Sequence, residues 1–155
     1  MSGSIWCEVA KGIPAGIVAL IAAGIAYRQY QVAKAKLNLD LFERRYEVFL
    51  AVWEFTSVVV QKGAPSLRSD ERNKLTNLMP QIQFLFGKDL ADYVYEIQSK
   101  HASLWVIEQA TQANNGVMPA EHIQQQLDLM KWFADEALEG VKQRFGKYLN
   151  FENWH

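Results

Sequence analysis

Cysteine occurs once in this chain, at Cys7, so no internal disulfide can staple the fold, and a nearly Cys-free chain suits a reducing compartment. Thiolate zinc sites are excluded on the same count. Histidine is almost as scarce: His101, His122 and His155 are the three, and no two of them stand one helical turn apart. Neither the His-Glu-x-x-His pattern of zinc proteases nor the paired Glu-x-x-His of di-iron bundles is present. Glycines are scattered singly, so there is no phosphate-cradling loop. Charge of one sign is lacking too. Sixteen basic residues against seventeen acidic ones leave a net charge of −1, which removes the field that would draw a basic chain to nucleic acid. No cofactor and no catalytic constellation are expected. Alternating strand patterns are missing as well, since the β-branched run from Thr56 to Val60 reads as the end of a long helix.

What is present begins with an uncharged run between Lys11 and Arg28, rich in Ile, Val, Leu and Ala. As a helix rising about 1.5 Å per residue it falls short of the roughly 30 Å hydrocarbon core, but Ile5, Trp6, Val9 and Ala10 lengthen it. Trp6 and Tyr27 stand at its two ends, as interfacial aromatics do. Gly24-Ile25-Ala26 also has the form of a signal-peptide cleavage site. Beyond Ala26, however, the chain continues without proline or glycine to Gly63, so helix continues and an uncleaved anchor fits better. A soluble core helix would show a polar face, and this run has none. The expected organisation is therefore an interfacial N-terminus (1–11), a transmembrane helix (12–27) and a cytoplasmic α-helical domain (28–155).

Orientation follows from Arg28, Lys34 and Lys36, which lie close together on the C-terminal side without an intervening acid, against Lys11 alone on the other. This places the N-terminus outside, the domain in the cytoplasm and the protein in an inner membrane. The three side chains act either as topology determinants or as contacts to anionic headgroups. Gly12 and Gly16 form a GxxxG, and Ala19 and Ala23 continue a small-residue row that would let two copies approach in lipid. The alternative is a span that is merely weakly apolar.

After the anchor, Leu39, Phe42, Tyr46, Phe49, Trp53, Thr56 and Val60 step by three and four, a heptad seam, with Leu41, Val48, Val52, Phe55 and Val59 as an adjacent stripe. Gly63-Ala-Pro65 ends this helix. Ser69, followed by Asp70 and Glu71, caps the next, in which Pro80 should introduce a kink and Gly87 a stop. A third helix follows from Asp89 through His101 and Trp105 to a turn-rich stretch, Gln109–Gly116. Pro119 opens a fourth with the seam Ile123, Leu127, Met130, Ala134, Ala137, Val141, Phe145 and Tyr148. The expected fold is all-α, about four helices in a bundle.

His101 falls on the inner stripe, either as a proton-sensing or ligand-binding group or as a hydrogen-bonded core histidine. With Trp105 it marks the one candidate pocket between helices; aromatics at helical spacing otherwise signify packing.

Three stretches carry a resemblance: Lys36-Leu-Asn-Leu-Asp-Leu-Phe-Glu-Arg-Arg-Tyr46, Phe84-Leu-Phe-Gly-Lys-Asp89, and Trp132-Phe133 with Phe145-Gly-Lys-Tyr-Leu-Asn-Phe151. Together they resemble a family of bacterial single-pass inner-membrane proteins without assigned activity. The resemblance implies an anchor followed by a helical domain, and no catalytic residues. The functional expectation is a membrane-anchored, self-associating helical interaction module that contacts the lipid bilayer and a protein partner. The alternative is a ligand- or lipid-responsive accessory subunit using the pocket near His101.

Overall fold

The computed structural model describes the backbone of residues 3–150 and the side chains of residues 16–150. Among the described residues every regular element is helical: α1 (Gly3–Lys62), α2 (Asp70–Phe86), α3 (Lys88–Ala113), α4 (Ala120–Asp135) and α5 (Val141–Leu149), the last two joined by a π-helical turn at Glu136–Gly140. Helices α4 and α5 thus form one continuous helical run, and the four-helix, all-α expectation holds at that level. The chain divides into two compact units, Met1–Leu41 and Phe42–His155, with α1 running through both.

In the first unit the described side chains of α1 are almost all exposed. Ile17, Val18, Leu20, Ile21 and Ile25 point into open space, and so do Tyr27, Tyr30, Val32 and Leu37. The expected transmembrane helix over 12–27 is corrected in one respect: among the described residues, no helix is long and apolar enough to cross a membrane. The physical reason lies in composition. The apolar run from Gly16 stops at Tyr27-Arg28-Gln29-Tyr30-Gln31, and the residues that would extend it upstream have side chains outside the described ones.

The second unit is built around the C-terminal half of α1. Val48, Ala51, Val52, Phe55, Thr56 and Val59 are buried, and α2 to α5 contribute the remainder of the core, led by Leu75, Ile82, Val94, Ile97, Phe133, Val141 and Phe145. The stripe expected as secondary is therefore the true seam. Of the heptad stripe only Thr56 is fully buried, while Tyr46 and Trp53 remain partly open to solvent. Thr56 meets the demand of its buried hydroxyl locally, donating to the carbonyls of Val52 and Trp53.

Helix ends follow their local chemistry. Gly63 ends α1 at φ 82°, with its N–H on the carbonyl of Val59. A Cβ there would also lie 2.8 Å from Glu108 Oε1, so the position requires glycine on two counts. Ser69 caps α2, its hydroxyl accepting from the Arg72 amide at 3.3 Å. Pro80 lies inside α2, which nevertheless continues to Phe86. Helix α3 extends to Ala113, past the expected turn-rich boundary at Gln109, because only Asn115 and Gly116 adopt the positive φ that breaks it.

The seam expected for the fourth helix is half right. Ile123 and Leu127 are exposed, and the inner face before the π turn is Leu129, Met130 and Phe133. An uninterrupted α-helix would carry that face on to Gly140 and Arg144. The extra residue of the π turn rotates the following segment, so that Val141 and Phe145 enter the core instead.

Gly140 closes that turn. A Cβ at Gly140 would lie 1.9 Å from Glu136 Oε2, whereas one at Gly146 would meet nothing within 4 Å. Replacing a mid-helix glycine by alanine ordinarily stabilises by about 0.5–1 kcal/mol, and Gly146→Ala should do so. Gly140→Ala should instead destabilise by about 1–3 kcal/mol, since the carboxylate it displaces is itself held in place. Thermal unfolding of the two variants checks the opposite signs.

Candidate functional site

Helix α3 carries several polar side chains at the bundle's core: Tyr93 and His101 are buried and hydrogen-bonded, Glu108 is half-buried and hydrogen-bonded, and Gln98 is buried with its amide nitrogen unpaired. Tyr93, His101 and Glu108 fall, with Ile97 and Leu104 between them, within an arc of about 80° on one face. Tyr93 reaches the π turn, while His101 and Glu108 both reach the α1–α2 connection.

His101 has no exposed surface. Its Nε2–H donates to the carbonyl of Pro65 at 2.8 Å, and its Nδ1 accepts from an Arg72 guanidinium N–H at 2.8 Å. The two bonds define the neutral Nε2–H tautomer. The ring also meets Phe55 edge-on, with centroids 5.0 Å apart. Burial pushes the imidazole down to about 4, with the Arg72 charge acting in the same direction and the Pro65 carbonyl opposing it. His101 therefore pins the α1–α2 connection and the first turn of α2 onto α3, and both ring nitrogens are engaged within the chain. Trp105, one turn further along, is half-buried. One level below, Glu108 Oε1 accepts the Ala64 amide at 2.9 Å and fixes the other end of the same connection.

The third contact was not anticipated from the sequence. Glu136, only 6% exposed, sits in the π turn and takes a hydrogen bond from the Tyr93 hydroxyl at 2.6 Å on Oε2 and one from Arg144 at 3.2 Å on Oε1. The Arg144 guanidinium also lies 4.1 Å over the Tyr93 ring. Burial, reinforced by the neighbouring carboxylate, drives the Tyr93 phenol well above its ordinary value, so it stays a donor. An open groove of about 540 Å³ runs beside this turn, lined by Asp135, Glu139, Gln143 and Arg144 among others. Both Glu136 oxygens are already occupied, so the arrangement holds a helix register and offers no free base. Among the described residues no group of His, Cys, Asp and Glu is placed to hold a metal ion. The sequence did carry one signal: an acid three residues after Phe133, on the core side, with glycine four residues beyond it.

The remaining expected site residues lie on the first unit. Arg28, Lys34 and Lys36 are exposed, and Arg28 and Lys36 line one shallow apolar groove with Ile25, Gln29, Val32 and Ala33. Gly16, Ala19 and Ala23 are exposed too, and a Cβ on Gly16 would meet nothing within 4 Å; the side of α1 at Gly12 lies outside the described residues. Trp53 donates its indole N–H to the Ala137 carbonyl at 2.9 Å, and Trp132 packs edge-on against Phe133 with Lys100 above it, so both are packing groups.

Searches against family models, curated proteins and solved structures find no match to this chain.

Because the folded His101 takes a proton only near pH 4 while the unfolded one does so near 6.5, the unfolded state gains protons first as pH falls. Stability should be undiminished above about pH 6.5, decline by about 3 kcal/mol down to pH 4 and level off below. His101→Gln should flatten this window in pH-dependent unfolding. Tyr93→Phe should cost about 1–3 kcal/mol at neutral pH by leaving a buried carboxylate oxygen without its donor, which urea unfolding would read.

Proposed function

We propose that the chain is a membrane-anchored helical interaction module, self-associating and without catalytic chemistry of its own. The observation that carries this reading is the exposed apolar surface of α1: Ile17, Val18, Leu20, Ile21 and Ile25 are each more than half exposed over an arc of about 160°, with alanine and glycine on the rest of the circumference. A helix apolar around its circumference is stable in lipid or in a protein core, and this stretch has no core around it. No described helix is apolar enough to cross by itself, so in this reading the anchor also draws on Ile5, Trp6, Val9 and Ile13 of the upstream sequence. The basic residues Arg28, Lys34 and Lys36 would keep the bundle on the cytoplasmic side.

The interaction role is supported by apolar side chains that the bundle leaves exposed, with Phe84 at 91% and Leu138 at 70% foremost. The open Gly16, Ala19 and Ala23 row supports self-association. The ligand-responsive alternative has less behind it, since both nitrogens of His101 are used within the bundle.

Membrane fractions from cells expressing the full chain, washed with alkaline carbonate, give the test. The protein should stay in the pellet, and Ile17→Asp with Ile21→Asp should move it to the supernatant. Release of the unaltered chain by the wash would contradict anchoring.

A further inference from the structure

Between Lys11 and Asp40 the sequence holds three basic residues and no acid. Arg28, Lys34 and Lys36 are all exposed, and among the described residues no ion pair includes any of them. Elsewhere in the chain charges of both signs are mixed, which accounts for the near-zero net charge, so this segment is a local positive field on a balanced background. Its apolar content is equally particular. Ile25, Arg28, Gln29, Val32, Ala33 and Lys36 recur at three- and four-residue steps and line one groove, so one face carries apolar surface bracketed by two cations about 12 Å apart along the axis. Tyr27 and Tyr30, both exposed, add rings with an apolar body and a polar tip at the same level.

A nucleic-acid groove would need cations without the apolar strip. Phosphodiester headgroups above acyl chains match both parts. We propose that the Ile25–Lys36 segment binds the surface of a bilayer containing anionic phospholipid, with Arg28 and Lys36 meeting headgroup phosphates beside the groove, Lys34 adding charge from the opposite side of the helix, and Ile25 and Val32 entering the acyl boundary. This rests on the membrane reading above and adds to it a preference for lipid charge. Arg28 supplies a planar fork matched to a phosphate, while the lysines act as point charges on long stems.

The test is flotation of the full chain, diluted from mild detergent into preformed vesicles of phosphatidylcholine with or without phosphatidylglycerol. Three cations at the surface should make binding to the anionic vesicles about 100-fold tighter than to the neutral ones. That preference should shrink in high salt and vanish in the triple variant Arg28→Gln, Lys34→Gln, Lys36→Gln, whose fold is checked by circular dichroism. Equal flotation with both vesicle types, or an unchanged preference in the triple variant, would overturn the lipid-charge preference and leave anchoring intact. No flotation with either would overturn both readings.

Discussion

The bundle depends on a few polar side chains of α3 that bond across to other segments. Helix α3 sends Tyr93 and His101 inward on the face that also carries Ile97 and Leu104, with the half-buried Glu108 on the same face, and a buried hydroxyl or imidazole left unbonded would cost about as much as a large apolar side chain contributes. Each therefore determines where its partner must lie: Glu136 in the π turn, and Ala64, Pro65 and Arg72 in and beside the α1–α2 connection. Apolar packing between Phe55, Val94, Phe133 and Phe145 tolerates small shifts of register, but directional bonds to the π turn, the α1–α2 connection and the first turn of α2 do not. The π turn is part of this constraint. It brings Glu136 to Tyr93 while returning Val141 and Phe145 to the core, and Gly140 leaves the space its carboxylate occupies.

Much of this could be read from the residues. The helix ends at Gly63, Ser69, Gly87 and Asn115-Gly116 are set by local backbone chemistry, which a sequence states directly. The inner position of His101 followed from periodicity. Two features did not follow. The choice between two adjacent apolar stripes on α1 depends on which neighbours arrive, and Tyr46 and Trp53 are as apolar as Val48 and Val52 in a one-dimensional pattern. The π turn breaks the periodicity from which seams are read, so Ile123 and Leu127 were placed inside when the helix presents Leu129 and Phe133. The Glu136 contact was hidden for the same reason, because an acid beside a register shift looks like part of a solvated face.

The two units present different surfaces. The bundle satisfies most of its buried polar groups internally and closes an apolar core. The described part of the first unit does the reverse, exposing isoleucines and valines and gathering three unpaired cations at one end. In water that arrangement has no compensating contact; against a charged bilayer every part of it has one. The proposed membrane attachment would give the exposed apolar stretch of the first unit the contact it lacks.

Hydrogen exchange on the full chain in phospholipid nanodiscs tests this most directly. The account predicts two protected stretches, one in the α3 core from Tyr93 to Glu108 and one in the apolar part of α1 from Gly16 to Ala26. Slow exchange in α3 combined with fast, solvent-like exchange across Gly16–Ala26 would contradict it.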